Sequence, residues 1–169
     1  MTGERTHEVQ HGRPIARMTE DIKVVATNRK ARFEYQLADR FEAGMVLQGS
    51  EIKSIRQGHI SLAEAYVEID ARLNAWLLEA HIAPYEQASA FNHEPRRKRR
   101  LLLHRREIRA LWSALRQRGM TIVPLRVYLK GGRAKIEIAL ARGRKAYDKR
   151  RAIAKRDQAR DLERETRVR

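Results

Sequence analysis

The 169-residue chain contains no cysteine. That excludes a disulfide framework and any zinc site built on thiolates. No apolar stretch approaches the roughly 18 residues of a membrane-spanning helix. The opening "MTGERTHEVQHGRP" lacks the apolar core of a signal peptide. These absences predict a cytoplasmic protein with no membrane partner. Acidic residues are also short in number: 21 Asp and Glu stand against 37 Lys and Arg, a formal net charge of +16. An excess that large attracts polyanions, so nucleic acid is the leading class of partner.

Signals for catalysis are equally sparse. The six histidines occur singly, with none paired at metal-ligand spacing. His93-Glu94 does not open an HExxH helix, because position 97 is Arg. "KGGRAK" at 130–135 lacks the eight-residue phosphate-loop pattern and reads as a turn. Glu42 and Glu51 stand out among the carboxylates because they lie in an apolar-rich region; a solvated strand or helix position is the plainer reading of each. The expectation is a protein that is not an enzyme and uses neither metal nor cofactor.

What is present is patterned sequence from Ile22 onward, after a polar lead at 1–21 expected to be disordered. "RFEYQLADRFEAGMVLQG" predicts one bent strand, or a short helix running into a strand. "SEIKSIRQG" predicts a two-turn helix with Ser50 as N-cap and Gly58 as its stop. A hairpin follows, with Ala65, Val67 and Ile69 on one face, a turn near Asp70–Asn74 and a return from Ala75 to Ile82. Residues 86–100 read as a loop ending in "RRKRR". Ile108, Leu111, Trp112 and Leu115 then fall at helical spacing, with Gly119 placed as a C-terminal cap.

The clearest hairpin is "MTIVPLRVYLKGGRAKIEIALARG". Val123, Leu125, Val127 and Leu129 are expected on one face, and Arg126, Tyr128 and Lys130 on the other. Gly131-Gly132 suits a two-residue turn, and Pro124 suggests an edge or a bulge. The sum is a mainly β fold of five or six antiparallel strands and two or three short helices. A sheet of that size avoids open edges by curling into a small barrel.

Three basic stretches stand out: "NRKAR" at 28–32, "RRKRRLLLHRR" at 96–106 with seven Lys or Arg, and the tail from 142 onward with twelve Lys or Arg against five acids. Phe33, Tyr35 and Tyr147 lie near two of them, a combination suited to phosphate binding with base stacking. The tail favours helix by composition and carries helix-spaced ion pairs such as Asp157–Arg160, yet Tyr147, Ile153, Leu162 and Val168 form no continuous stripe. It is therefore expected to be disordered when free and helical when bound to RNA.

Several segments together resemble the SmpB family of SsrA-binding proteins: "NRKARFEY" at 28–35, "FEAGMVLQGSEIKSIRQG" at 41–58, "AYVEI" at 65–69, "RKRRLLLHRREI" at 97–108 and "KIEIALARGRKAYDKR" at 135–150. The resemblance implies an OB-like barrel over 22–142 that binds the tRNA-like domain of transfer-messenger RNA. Asn28, Glu42, Leu102 and Lys135 match the family's contact residues, with Arg29 beside Asn28. It further implies that the tail, 143–169, enters the vacant decoding site and messenger channel of a stalled ribosome, against small-subunit rRNA. Gly143, Arg144 and Lys145 match one tail motif, Asp148, Lys149 and Arg150 another, and Tyr147 takes a ring position between them. Elongation factor Tu with alanyl-charged transfer-messenger RNA is the implied companion of a monomeric protein. The alternative is a ribosomal or assembly protein whose basic tail threads rRNA; an RNA-cleaving enzyme is a third class.

Overall fold

The computed structural model describes residues 21–88 and 90–167. The expected lead, 1–21, falls outside them except for Asp21. In chain order the elements are β1 (Ile22–Thr27), α1 (Arg29–Glu34), β2 (Tyr35–Met45), α2 (Gly49–Arg56), β3 (Ile60–Ser61), β4 (Tyr66–Ile69), β5 (Ala75–Leu78), β6 (His81–Ile82), β7 (Arg99–Leu102), α3 (Arg105–Leu115), β8 (Met120–Lys130), β9 (Arg133–Gly143) and α4 (Ala146–Arg167). Nine strands and four helices among the described residues exceed the expected numbers, because β3 and β6 are two-residue pieces and β7 begins inside the basic run.

The expected barrel is there. Antiparallel pairing runs β8–β4–β5–β7–β2–β9, and β9 pairs with β8 to close the ring. The edge of β8 that faces away from β9 is shared: β4 takes Ile122, whereas β1 takes Arg126 to Lys130. Closure leaves few unpaired backbone groups for other chains to join. The small β3–β6 pair lies outside the ring. Glu79, at φ 55, is the reason the expected continuous return from Ala75 to Ile82 does not form, since a left-handed residue cannot continue a strand.

Two apolar clusters result. The larger fills the barrel with Val67, Leu77, Leu101, Ile122, Val127, Ile136 and Ile138, and Ile55 of α2 with Ile108 and Leu111 of α3 pack against it. The smaller lies under α1, where Ala31 meets Val123, Leu125, Ala139 and Ala141. Val123 and Leu125 therefore do not share a face with Val127, as the alternation predicted. A bulge between Pro124 and Arg126 shifts the register by one residue, so the odd spacing from Ile122 to Val127 still brings both inward. Pro124 marks that bulge, as expected.

Local signals explain the remaining elements. Gly131 and Gly132, at φ 56 and φ 75, make the left-handed pair that a tight β8–β9 turn needs. Gly58, at φ 84, stops α2. The N-cap of α2 is Gln48 and not Ser50; the Glu51 carboxylate accepts from the Gln48 N–H at 2.7 Å, and the Ser50 hydroxyl instead meets His93 Nδ1 at 2.9 Å. Helix α3 closes at Arg116, so Gly119, at φ 81, belongs to the turn into β8.

Candidate nucleic-acid interface

Strands β2, β9 and β8 lie side by side, and their outward residues form an ordered charged face. Register places Lys135 opposite both Gly44 and Tyr128, and Glu137 opposite both Glu42 and Arg126. Glu137 accepts from Arg40 at 3.4 Å and from Arg126 on its other side. Arg126 also lies 5.4 Å from the centre of the Tyr128 ring, a cation–π contact. The Tyr128 hydroxyl donates to Glu42, whose other oxygen stands 3.6 Å from Lys130.

These contacts set protonation. The Tyr128 hydroxyl, aided by Lys130 and Lys135, holds the Glu42 carboxyl below its ordinary range despite partial burial. Burial, and then the Glu42 acceptor, push the Tyr128 phenol well above its ordinary value. Glu42 is thus a fixed anion and Tyr128 a fixed donor at neutral pH, with Lys135 beside them.

Leu102 meets this face at Gly44. The two are register partners, and a Cβ at Gly44 would come within 3.3 Å of the Leu102 side chain, so the missing side chain permits that approach. Leu102 is 54% exposed and helps line an open groove of about 370 Å³ with Met45, Ile52, Arg133 and Lys135. Three of the residues singled out in the sequence, Glu42, Leu102 and Lys135, are therefore neighbours around one glycine.

Asn28 and Arg29 lie apart from that group, at the start of α1. Asn28 is buried as the N-cap: Oδ1 accepts from Ala31 N–H at 3.1 Å, while Nδ2 donates to Leu62 and Pro124 carbonyls at 3.2 and 3.1 Å. Both amide hydrogens are engaged within the protein. Arg29, the next residue, is exposed.

Two cations of the 96–106 run, Arg97 and Arg99, turn inward, while Arg96, Lys98, Arg100, Arg105 and Arg106 stay exposed. Arg99 is wholly buried, with Nε on Glu51 at 2.9 Å and Nη1 on the Ala80 carbonyl at 2.6 Å. Arg97 closes on the same carboxylate at 3.1 and 2.7 Å. Arg96 pairs with Glu79 at 2.9 Å, Lys98 lies 4.8 Å from the Trp76 ring centre, and Arg100 bonds Asn74 at 2.9 Å. Glu51, read as a solvated helix position, is wholly buried. Burial works against its ionisation, but Arg97, the Gln48 N–H and Arg99 outweigh that and hold its carboxyl below the ordinary range.

At the tail, Gly143 ends β9 opposite Tyr35, and Arg144 N–H donates to the Glu34 carbonyl at 2.9 Å. The Arg144 Nε is buried without a hydrogen-bond partner. Lys145 precedes α4, which carries Lys149 and Arg150 in its first turns. Tyr147 and Asp148 also fall in α4, and their side chains lie outside the described residues. Among the described residues no group of three or more His, Asp or Glu is arranged to hold a metal, and no helix is long and apolar enough to cross a membrane.

Sequence reasoning missed Tyr128, Arg126, Lys130 and Glu137 as parts of a site. The alternation had placed Arg126, Tyr128 and Lys130 together, but nothing in one strand announced that Glu42 and Glu137 would face them.

A closed antiparallel barrel with an ordered charged face, basic appendages and a net charge of +16 defines a β-barrel protein suited to polyanions. More narrowly, the family model described as SmpB protein matches residues 25–168, and the chain belongs to that family. It is 56% identical over 151 residues to an SsrA-binding protein of Roseiflexus sp. (strain RS-1), covering 89% of this chain and 95% of the relative. An SsrA-binding protein of Carboxydothermus hydrogenoformans is 49% identical over 147 residues, covering 87% and 98%. A chain of the solved structure "tmRNA-SmpB: a journey to the center of the bacterial ribosome" superposes with a TM-score of 0.61 at 42% identity, over 72% of this chain and 85% of that one. The resemblance carried by the sequence motifs holds along most of the chain.

Proposed function

We propose that this chain is an RNA-binding adaptor of trans-translation, which binds the tRNA-like domain of transfer-messenger RNA and carries it to stalled ribosomes in the cytoplasm. The observation that carries the reading is the grouping of Glu42, Lys135 and Leu102 around Gly44, within a family whose relatives are SsrA-binding proteins. Glu42, fixed as an anion, accepts from base edges; Lys135 neutralises phosphate; Leu102 packs against a base. Asn28 acts indirectly, by capping α1 and presenting Arg29 to the RNA.

In this reading the chain divides into a lead (1–21), a barrel that grips RNA (22–142) and a tail that reads the ribosome (143–169). Gly143, Arg144, Lys145, Tyr147, Asp148, Lys149 and Arg150 enter the vacant decoding site and messenger channel, so rescue is confined to ribosomes without downstream message. Away from RNA the tail helix is marginal, because it has few apolar side chains to bury. The protein works as a monomer, performs no chemistry itself, and travels with elongation factor Tu and alanyl-charged transfer-messenger RNA.

A competition gel shift at near-physiological salt tests this. Labelled tRNA-like domain is challenged with excess ordinary tRNA and an unrelated hairpin, using the full chain and a form ending at Arg142. Both forms are expected to hold the label. Equal displacement by all competitors would leave only charge-driven binding and overturn the adaptor reading in favour of a generic rRNA-binding protein. Leu102→Ala is expected to weaken binding about tenfold, a value typical of a stacked contact, without changing the urea midpoint.

A further inference from the structure

An open cleft of about 460 Å³ lies between α1 and α4, lined by Thr27, Arg29, Arg32, Phe33 and Arg156. Among the described residues that line it there is no carboxylate. Arg29 and Arg32 stand three apart on α1 and share one of its faces, while Arg156 comes from the tail helix. None of the three guanidinium groups makes an ion pair among the described residues, although cations elsewhere do: Lys30 has Glu34 and Glu64, Arg40 and Arg126 have Glu137, Arg97 and Arg99 have Glu51. Close by in sequence, where β9 passes into α4, the Arg144 Nε is buried and unpartnered. Three like charges from two elements therefore converge on one space, with no ion-pair partner for them among the described residues.

We propose that this cleft is a binding site for single-stranded RNA, and that RNA seated there fastens α4 to the barrel. Guanidinium groups pair bidentately with phosphate, which supplies the missing negative charge between the two helices. The half-buried Phe33 ring offers a face on which one base stacks, and the exposed Thr27 hydroxyl lies beside it as a further donor. Because the ligand contacts both walls, binding and docking of α4 are coupled: RNA favours the docked helix, and the docked helix favours RNA. The inference rests on the RNA-binding reading but takes from its barrel residues only Arg29.

Hydrogen–deuterium exchange on the full chain tests it, with hexauridylate as probe and inorganic phosphate at equal phosphate concentration as comparison. Hexauridylate is expected to slow exchange across α1 and α4, and phosphate to do so far less. Arg32→Ala and Arg156→Ala should each weaken hexauridylate binding about tenfold, as loss of a charged hydrogen bond does, and remove the protection of α4. Lys155→Ala, which deletes the same charge at the neighbouring position, should change affinity less than about twofold. Phe33→Leu should weaken hexauridylate and leave phosphate unaffected. Equal effects of Lys155→Ala and Arg156→Ala would overturn the site, because charge alone would then be at work. Equal protection by inorganic phosphate would overturn the RNA assignment. Full-chain Leu102→Ala, assayed on the folded tRNA-like domain, reads the barrel proposal separately, so either proposal can fail alone.

Discussion

Arg99 carries a full positive charge where solvent does not reach it, and among the described residues Glu51 is the only carboxylate that forms an ion pair with it. Removing one partner of such a pair leaves the other charged and uncompensated, which costs about 3–5 kcal/mol. Glu51→Gln is therefore expected to lower unfolding free energy by about 3 kcal/mol or more, read as a fall in the urea midpoint. Acid acts on the same group. Because the folded-state pKa of Glu51 is depressed, its contribution is fully present above the ordinary carboxylate value of 4.5 and is lost as pH falls through the lower folded value. Glu42 gives a second test: Tyr128→Phe removes the donor that most strongly lowers its pKa, so NMR titration of the Glu42 carboxyl should show an upward shift. An unchanged titration would mean that Lys130 and Lys135 suffice.

Among elements, the β8–β9 hairpin was the most legible from sequence and also the most instructive. Its turn followed from two adjacent glycines, and Gly132→Ala should destabilise the protein by about 1 kcal/mol in urea melts, because its left-handed backbone suits no other residue as well. Its bulge was visible as Pro124, but the consequence was not: alternation read across a bulge assigns Val123 and Leu125 to the wrong side. Helix α2 shows a related limit. Ser50 has the chemistry of an N-cap, yet Gln48 holds the position because Glu51 is fixed from the other side by two arginines far away in sequence. Local pattern carries local preference, and long-range partners decide among the options it leaves. Arg97 and Arg99 turn inward for that reason while Arg96, Lys98 and Arg100 stay exposed, whereas Glu42, Leu102 and Lys135 were reached through family motifs and not through periodicity.

At the scale of the whole molecule, the excess charge divides unequally between the barrel and the tail. Part of it is bound internally at Glu51 and Glu137, and the tail keeps twelve Lys or Arg against five acids. A form ending at Arg142 should lose only about 1 kcal/mol of stability, the worth of the Arg144 N–H bond to the Glu34 carbonyl, since no described residue of α4 belongs to either core cluster. Its affinity for ribosomes should fall and depend less steeply on salt, because fewer counterions are released on binding. A salt slope equal to that of the full chain would place the ribosome contacts in the barrel instead.

The ring closes through β9, which pairs with β2 near the start of the described chain and with β8 just before it. Closure thus joins residues about a hundred positions apart, the kind of pairing that forms late. During synthesis at about 5–20 residues per second, β2 waits about 5–20 s for its neighbour to be made. Glu42 waits with it, since Tyr128 and Lys135 arrive on those last two strands. The charged face proposed to grip RNA is therefore assembled by the same event that completes the barrel, and an unfinished chain has no such face to offer.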